Sequence, residues 1–228
     1  MKIDKLDNPT WYALSETHKN FAVDYQGIKF YHPDYCPFGG FINANQTKTG
    51  IEKYAFLVDS FFVVGDRPDF NDKVRLDKVL VCNQMILRER IRMRVDEHIT
   101  QLRTKAHKTD LLALVNLVQP GYFRDRTPEL GNYYGIYKED KLIAVTGERM
   151  KMNGYTELSA IVTHPEHTGR GYAKQLITYA SNNAFNQDQI PFLHVANTNI
   201  GAITLYEKLG FRTRREMNFW HFVANDNR

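Results

Sequence analysis

The chain has 228 residues, 43% hydrophobic and 25% charged, enough for one large domain or two small ones around an ordinary core. It contains no apolar run of the roughly 18–20 residues that cross a bilayer, and Met1–Asp7 has no signal-type stretch. Two cysteines, Cys36 and Cys82, are too few for a disulfide framework or a zinc site, so a cytoplasmic protein with free thiols, no metal and no membrane partner is expected. The net charge of +4 is spread out, and the densest basic cluster, Arg88–Arg94, lacks interleaved aromatics, which argues against a nucleic-acid partner.

Residues 1–104 read as a first segment without a chemical motif, an α/β accessory subdomain packed on residues 105–228. Asn8-Pro9-Thr10 opens a helix expected over Trp11–Phe21. Pro33, Pro37, Gly39 and Gly40 mark irregular chain. Tyr54–Val64 and Val79–Leu87 read as buried strands, with a turn at Gly65–Asp69. As a strand, Arg88–Arg94 would set its alternate arginines along one exposed face.

In the second segment, Thr109 is expected to cap a helix over Asp110–Val118 that ends at Pro120-Gly121. Thr127–Asn132 is a short helix or loop. Tyr133–Tyr137 and Ile143–Met150 read as a hairpin around Glu139-Asp140-Lys141, followed by a strand over Tyr155–Thr163. A helix over Gly169–Phe185, a strand over Phe192–Ala196 and a helix over Ala202–Leu209 stopped by Gly210 come next. Arg212–Val223 supplies the final strands or hairpin.

The most informative stretch joins the third of these strands to its helix: Thr168-Gly169-Arg170-Gly171-Tyr172-Ala173. A helix start presents N–H groups without intrahelical partners and the positive end of the dipole, and two glycines let a bulky anion approach the backbone. A phosphate or pyrophosphate ligand follows. The Walker pattern fails, because no lysine–hydroxyl pair follows the second glycine. The Rossmann fingerprint fails too, because Lys174 stands where its third glycine would be.

The same loop resembles motif A of the GNAT superfamily of acyl-CoA-dependent N-acyltransferases, [QR]-x-x-G-x-[GA], with Thr168 in the Gln/Arg position. Asn199-Ile200-Gly201-Ala202-Ile203-Thr204-Leu205-Tyr206-Glu207-Lys208-Leu209-Gly210-Phe211 is similar to that family's closing signature, N-x-x-A-x-x-L-Y-E-K-x-G-F. Gly147–Met150 and Thr156–Ala160 match its central antiparallel strands, so the resemblance covers roughly residues 105–222. It implies an α/β (α+β) GNAT fold, a mixed central sheet flanked by helices, with residues 1–104 either an accessory subdomain or a degenerate copy of the same half.

The resemblance also implies acetyl-CoA as acyl donor and a primary amine on a small molecule, amino acid or peptide as acceptor; a homodimer is left open. Thr168, Gly169, Arg170, Gly171, Tyr172 and Ala173 would grip the pyrophosphate, and the main chain of Ile161, Val162 and Thr163 the pantetheine, Ile161 N–H polarising the thioester carbonyl. Asn199 would bond pantetheine amides or cap the next helix, and Tyr206 would protonate the departing sulfur. Glu157, eleven residues before Thr168, stands where histone-acetylating members carry their base. In an apolar strand its pKa is expected to be raised. Glu148 is the rival base and His194 a third candidate, whereas His164 shapes the loop. Tyr122, Phe123, Arg124, Arg126, Tyr133 and Tyr134 lie where the family covers its acceptor. The alternative is an acyl-CoA-binding sensor or interaction module that keeps the fold without the turnover.

Overall fold

The computed structural model describes residues 4–225. Helix α1 (Pro9–Ser15) is capped by the Asn8 side chain, and it ends well before Phe21, where the chain turns into a short 3-10 segment. Strands β1 (Ala22–Asp24), β2 (Ile28–Tyr31) and β3 (Phe38–Phe41) form an antiparallel run. Helix α2 (Lys48–Ala55) then crosses to β4 (Ser60–Val64), which lies parallel to β3. The apolar run expected as one strand from Tyr54 is therefore split. Ile51, Tyr54 and Ala55 sit at helical spacing and are all buried in α2.

Strand β5 (Val74–Ile86) begins earlier than expected. Arg88–Arg94 is not a strand, although its arginines are exposed alternately. The side-chain amide of Asn182 bonds both the N–H and the C=O of Ile91, each at 3.1 Å, and so takes the part of a strand neighbour. After β6 (Thr100–Gln101), helix α3 (Lys105–Val118) starts a turn before the expected Thr109 cap. Thr104 and His107 make a reciprocal capping box there.

The remaining elements follow expectation closely. Strands β7 (Tyr133–Lys138) and β8 (Lys141–Met152) form a hairpin whose turn residues Glu139 and Asp140 have φ of 48° and 60°. Strand β9 is Tyr155–Thr163. Helix α4 (Tyr172–Asn186) starts at Tyr172, leaving both loop glycines outside it. Strand β10 (Ile190–Ala196), helix α5 (Ile200–Lys208) and the single long strand β11 (Arg212–Ala224) complete the chain.

Among the described residues the strands form one eleven-stranded sheet in the order β1-β2-β3-β4-β11-β5-β10-β9-β8-β7-β6. Residues 1–104 and 105–228 thus share a sheet, because β11 lies between β4 and β5, and β5 pairs with β10. The pairing pattern repeats about the β11–β5 pair. On one side three antiparallel strands lead through α2 to a parallel fourth. On the other, β7, β8 and β9 lead through α4 to parallel β10. Helices α1 and α3 cover one face; α2, α4 and α5 pack against the other, as the split of β4 into Phe62/Val64 and Phe61/Val63 cores records. No helix of the described residues is long and apolar enough to cross a membrane.

Candidate active site

Strands β9 and β10 pair only from Ile190↔Tyr155 to Phe192↔Glu157. Beyond that point they part, although β9 stays on β8 as far as Thr163↔Ala144 and β10 stays on β5 as far as Ala196↔Cys82. The result is a wedge in the sheet with both walls held. A bulge on β9 shapes one wall. Val162 and Ser159 oppose Val145 and Gly147, so β9 carries one residue more than β8, and Ala160 takes a φ of +49°.

A cavity of about 420 Å³ fills the wedge. Leu158, Ser159, Ala160 and Ile161 line it from β9, and His194, Val195 and Ala196 from β10. Asn199, Ala202 and Tyr206 line it from α5 and its approach. Val162 and Thr163 lie beyond it on β9; Val162 is turned into the α3 core. Asn199 accepts the N–H of Ala202 at 3.2 Å and is the α5 cap. Burial pushes the Tyr206 hydroxyl up to about 12, so it holds its proton at neutral pH.

Past the end of β9, His164 accepts the Glu166 N–H and closes a 3-10 turn that leads into the glycine loop. Gly169 and Gly171 have φ of +76° and +79°, the left-handed region, and a Cβ on either would meet nothing within 4 Å. The glycines are therefore needed for conformation, not packing. Thr168, Gly169, Arg170 and Gly171 are exposed, and Tyr172 and Ala173 begin α4. The loop fits a pyrophosphate: open space, exposed backbone and a fifteen-residue helix pointing its positive end outward.

Glu157 is 0% exposed. Arg149 grips it through Nε at 2.8 Å and Nη2 at 2.7 Å, and Met150 N–H reaches it at 3.3 Å. Burial alone would raise its pKa, but the charge and hydrogen bonds of Arg149, with those of His194, outweigh burial and pull it down to about 2. The expected rise is thus reversed. The apolar strand conceals an ion pair, because the β8 bulge opposite Glu157 brings Arg149 and Met150 against it.

His194 Nδ1 lies 2.7 Å from Glu157 Oε1, and Nε2 lies 3.2 Å from Gln84 Nε2. Arg214 donates to Gln84 Oε1 at 3.1 Å, which fixes the amide with its NH₂ toward His194. An amide nitrogen only donates, so His194 Nε2 carries the lone pair and Nδ1–H donates to Glu157. Glu148, the rival, is buried elsewhere; it accepts from Asn132 N, Asn132 Nδ2 and Lys151 Nζ and does not line the cavity.

Residues 133–220 match the family described as FR47-like protein. A solved GNAT-family structure from Novosphingobium aromaticivorans superposes with a TM-score of 0.87 at 28% identity, covering 98% of this chain and 100% of that one. In fold over nearly its whole length, and in sequence over residues 133–220, the chain is similar to GNAT-family proteins. A GCN5-related N-acetyltransferase from Kribbella flavida shares the GNAT fold at a TM-score of 0.61 and 14% identity, covering 93% of this chain and 95% of its own. An uncharacterized N-acetyltransferase of Bacillus subtilis, YobR, is 32% identical over 99 residues, 42% of this chain. The chain spans 38% of the length of that curated relative.

Several cavity residues lie outside any motif. Phe38, Phe62, Leu80 and Cys82 come from the first 104 residues, and Arg149 and Phe219 from β8 and β11. Only tertiary pairing brings them in, since β11 and β5 carry first-half strands up to β10. Of the suspected acceptor-side residues, Tyr122, Phe123 and Tyr133 line the cavity. Arg124 and Arg126 line a neighbouring polar cleft, and Tyr134 is buried against Tyr179 under α4.

Proposed function

We propose that the protein acetylates a primary amine, with acetyl-CoA as donor. The observation that carries this reading is the wedge between β9 and β10, where Ile161, His194 and Tyr206 meet one cavity whose β9 wall runs on to the glycine loop. When bound, acetyl-CoA supplies an activated acyl carbonyl. The exposed backbone of Thr168–Ala173 would hold its pyrophosphate, and the main chain of Ile161, Val162 and Thr163, with Asn199, the pantetheine arm.

The chain's own residues divide the proton traffic. Ile161 N–H, at the β9 bulge, donates to the carbonyl oxygen as it gains charge. His194 Nε2, whose lone pair accepts from the Gln84 amide at 3.2 Å in the resting site, takes the proton that the attacking nitrogen loses once that amide yields its place to the amine. Glu157 acts through His194: its carboxylate, too weakly basic at about 2 to accept the proton directly, holds the ring by Nδ1–H and balances the imidazolium. Tyr206 gives its proton to the departing sulfur. Cys82 lines the cavity, but burial pushes its thiol up to about 12, which supports direct transfer over an acyl-cysteine route.

The repeated pairing pattern supports reading residues 1–104 as a reduced copy of the GNAT half, with its β3–α2 connection lacking a glycine loop like that of β9–α4. A thiol-release assay with acetyl-CoA and a panel of primary amines tests the proposal. Amine-dependent release with equimolar N-acetyl product is expected; release that no amine accelerates contradicts it.

A further inference from the structure

We infer that the acceptor is a primary amine bearing an aromatic or bulky apolar group and no carboxylate, an inference that rests on the acyl-transfer reading above. The acceptor side of the cavity is a continuous row of rings. Tyr122 and Phe62 have centroids 5.5 Å apart, Phe62 and Phe38 5.6 Å, Phe38 and Phe219 5.8 Å, and Phe219 and His194 5.3 Å. The row runs from Tyr122, 36% exposed, to the proton acceptor. Such spacing offers faces and edges to another ring.

The charge in this wall is already balanced. Arg149 lies 4.5 Å over the Phe38 ring, and the nitrogens Nε and Nη2 are committed to Glu157. A substrate carboxylate would have to compete with that buried bidentate pair. A polyamine or amino sugar would set its spare polar groups against Phe62, Phe38 and Phe219, rings that offer them no hydrogen bonds. An aryl or branched alkyl group gives up only its hydration. The volume of about 420 Å³ falls in the range of small-ligand sites, roughly 300–1,000 Å³. Phe38 and Phe62 belong to β3 and β4, so the first half of the chain sets acceptor specificity.

The test compares kcat/KM for 2-phenylethylamine, phenylalanine and spermidine with acetyl-CoA, beside an acetyl-CoA binding titration. Phenylethylamine is expected to exceed both others by about tenfold or more. In Tyr122→Ala, which removes the half-exposed outer ring of the row, its KM is expected to rise roughly tenfold while that for acetyl-CoA holds. Spermidine or phenylalanine matching it, acetyl-CoA binding with no turnover of phenylethylamine, or an unmoved KM in Tyr122→Ala overturns the inference. Absence of acetyl-CoA binding overturns the acyl-transfer reading itself.

Discussion

Arg149 and Glu157 face each other across two bulged strands and close a two-pronged ion pair of 2.7 and 2.8 Å, with the carboxylate wholly buried and the guanidinium at the edge of the cavity. Removing one partner leaves the other charge buried alone. Glu157→Gln is expected to cost about 3–5 kcal/mol of stability, read from the urea midpoint. Replacing both by apolar residues, Arg149→Met with Glu157→Leu, is expected to cost clearly less than the single change. Equal losses would mean that the pair is not what the fold depends on there.

Acid should weaken the fold in two stages. Burial lowers the pKa of His18 from 6.5 to about 4, so the unfolded chain binds that proton first as pH falls. Stability then drops between pH 6.5 and about 4, by about 3 kcal/mol. The pKa of Glu157 is depressed, so its contribution is full above 4.5 and lost as pH falls toward 2. Urea midpoints at several pH values should show both windows, and His18→Gln should flatten the upper one alone. An unchanged slope in that variant would remove His18 from the account.

Tyr206→Phe and His194→Gln are each expected to cut kcat by roughly 100-fold while acetyl-CoA affinity stays within about twofold. Rates in both variants close to those of the parent would favour an acyl-CoA sensor that merely keeps the fold. A loss in Tyr206→Phe with none in His194→Gln would return the proton to Glu157.

Under the proposed direct transfer, with burial holding Cys82 as a neutral thiol, initial rates measured against both substrates should give intersecting reciprocal plots. Parallel plots, with acetyl trapped on Cys82, would contradict direct transfer.

The local features of the site are legible in the sequence. Two glycines with left-handed backbones, the Asn199 cap, the Gly210 stop and the whole of β9 follow from short-range rules of spacing and turn chemistry. What depends on strands far apart in the chain is not. Gln84 and His194 sit opposite each other on β5 and β10, and Phe38 meets Phe219 only because β11 enters between β4 and β5. Glu157 misleads for the same reason. Its strand is apolar, but the arginine that lowers its pKa comes from a bulge on the neighbouring strand, which no periodicity announces. Tyr54 reads as strand because a buried helix and a buried strand give similar apolar runs.

The most direct test of acyl-CoA chemistry is a calorimetric titration of acetyl-CoA into the purified protein, beside NAD, repeated with Gly171→Glu. That substitution puts a carboxylate on exposed backbone at the helix start, where it meets no neighbour but strains the left-handed backbone and would repel a phosphate. Binding of acetyl-CoA at about micromolar affinity, weakened roughly tenfold or more in the variant, with no heat from NAD, is the predicted result. No binding of acetyl-CoA, or equal binding in Gly171→Glu, would contradict it.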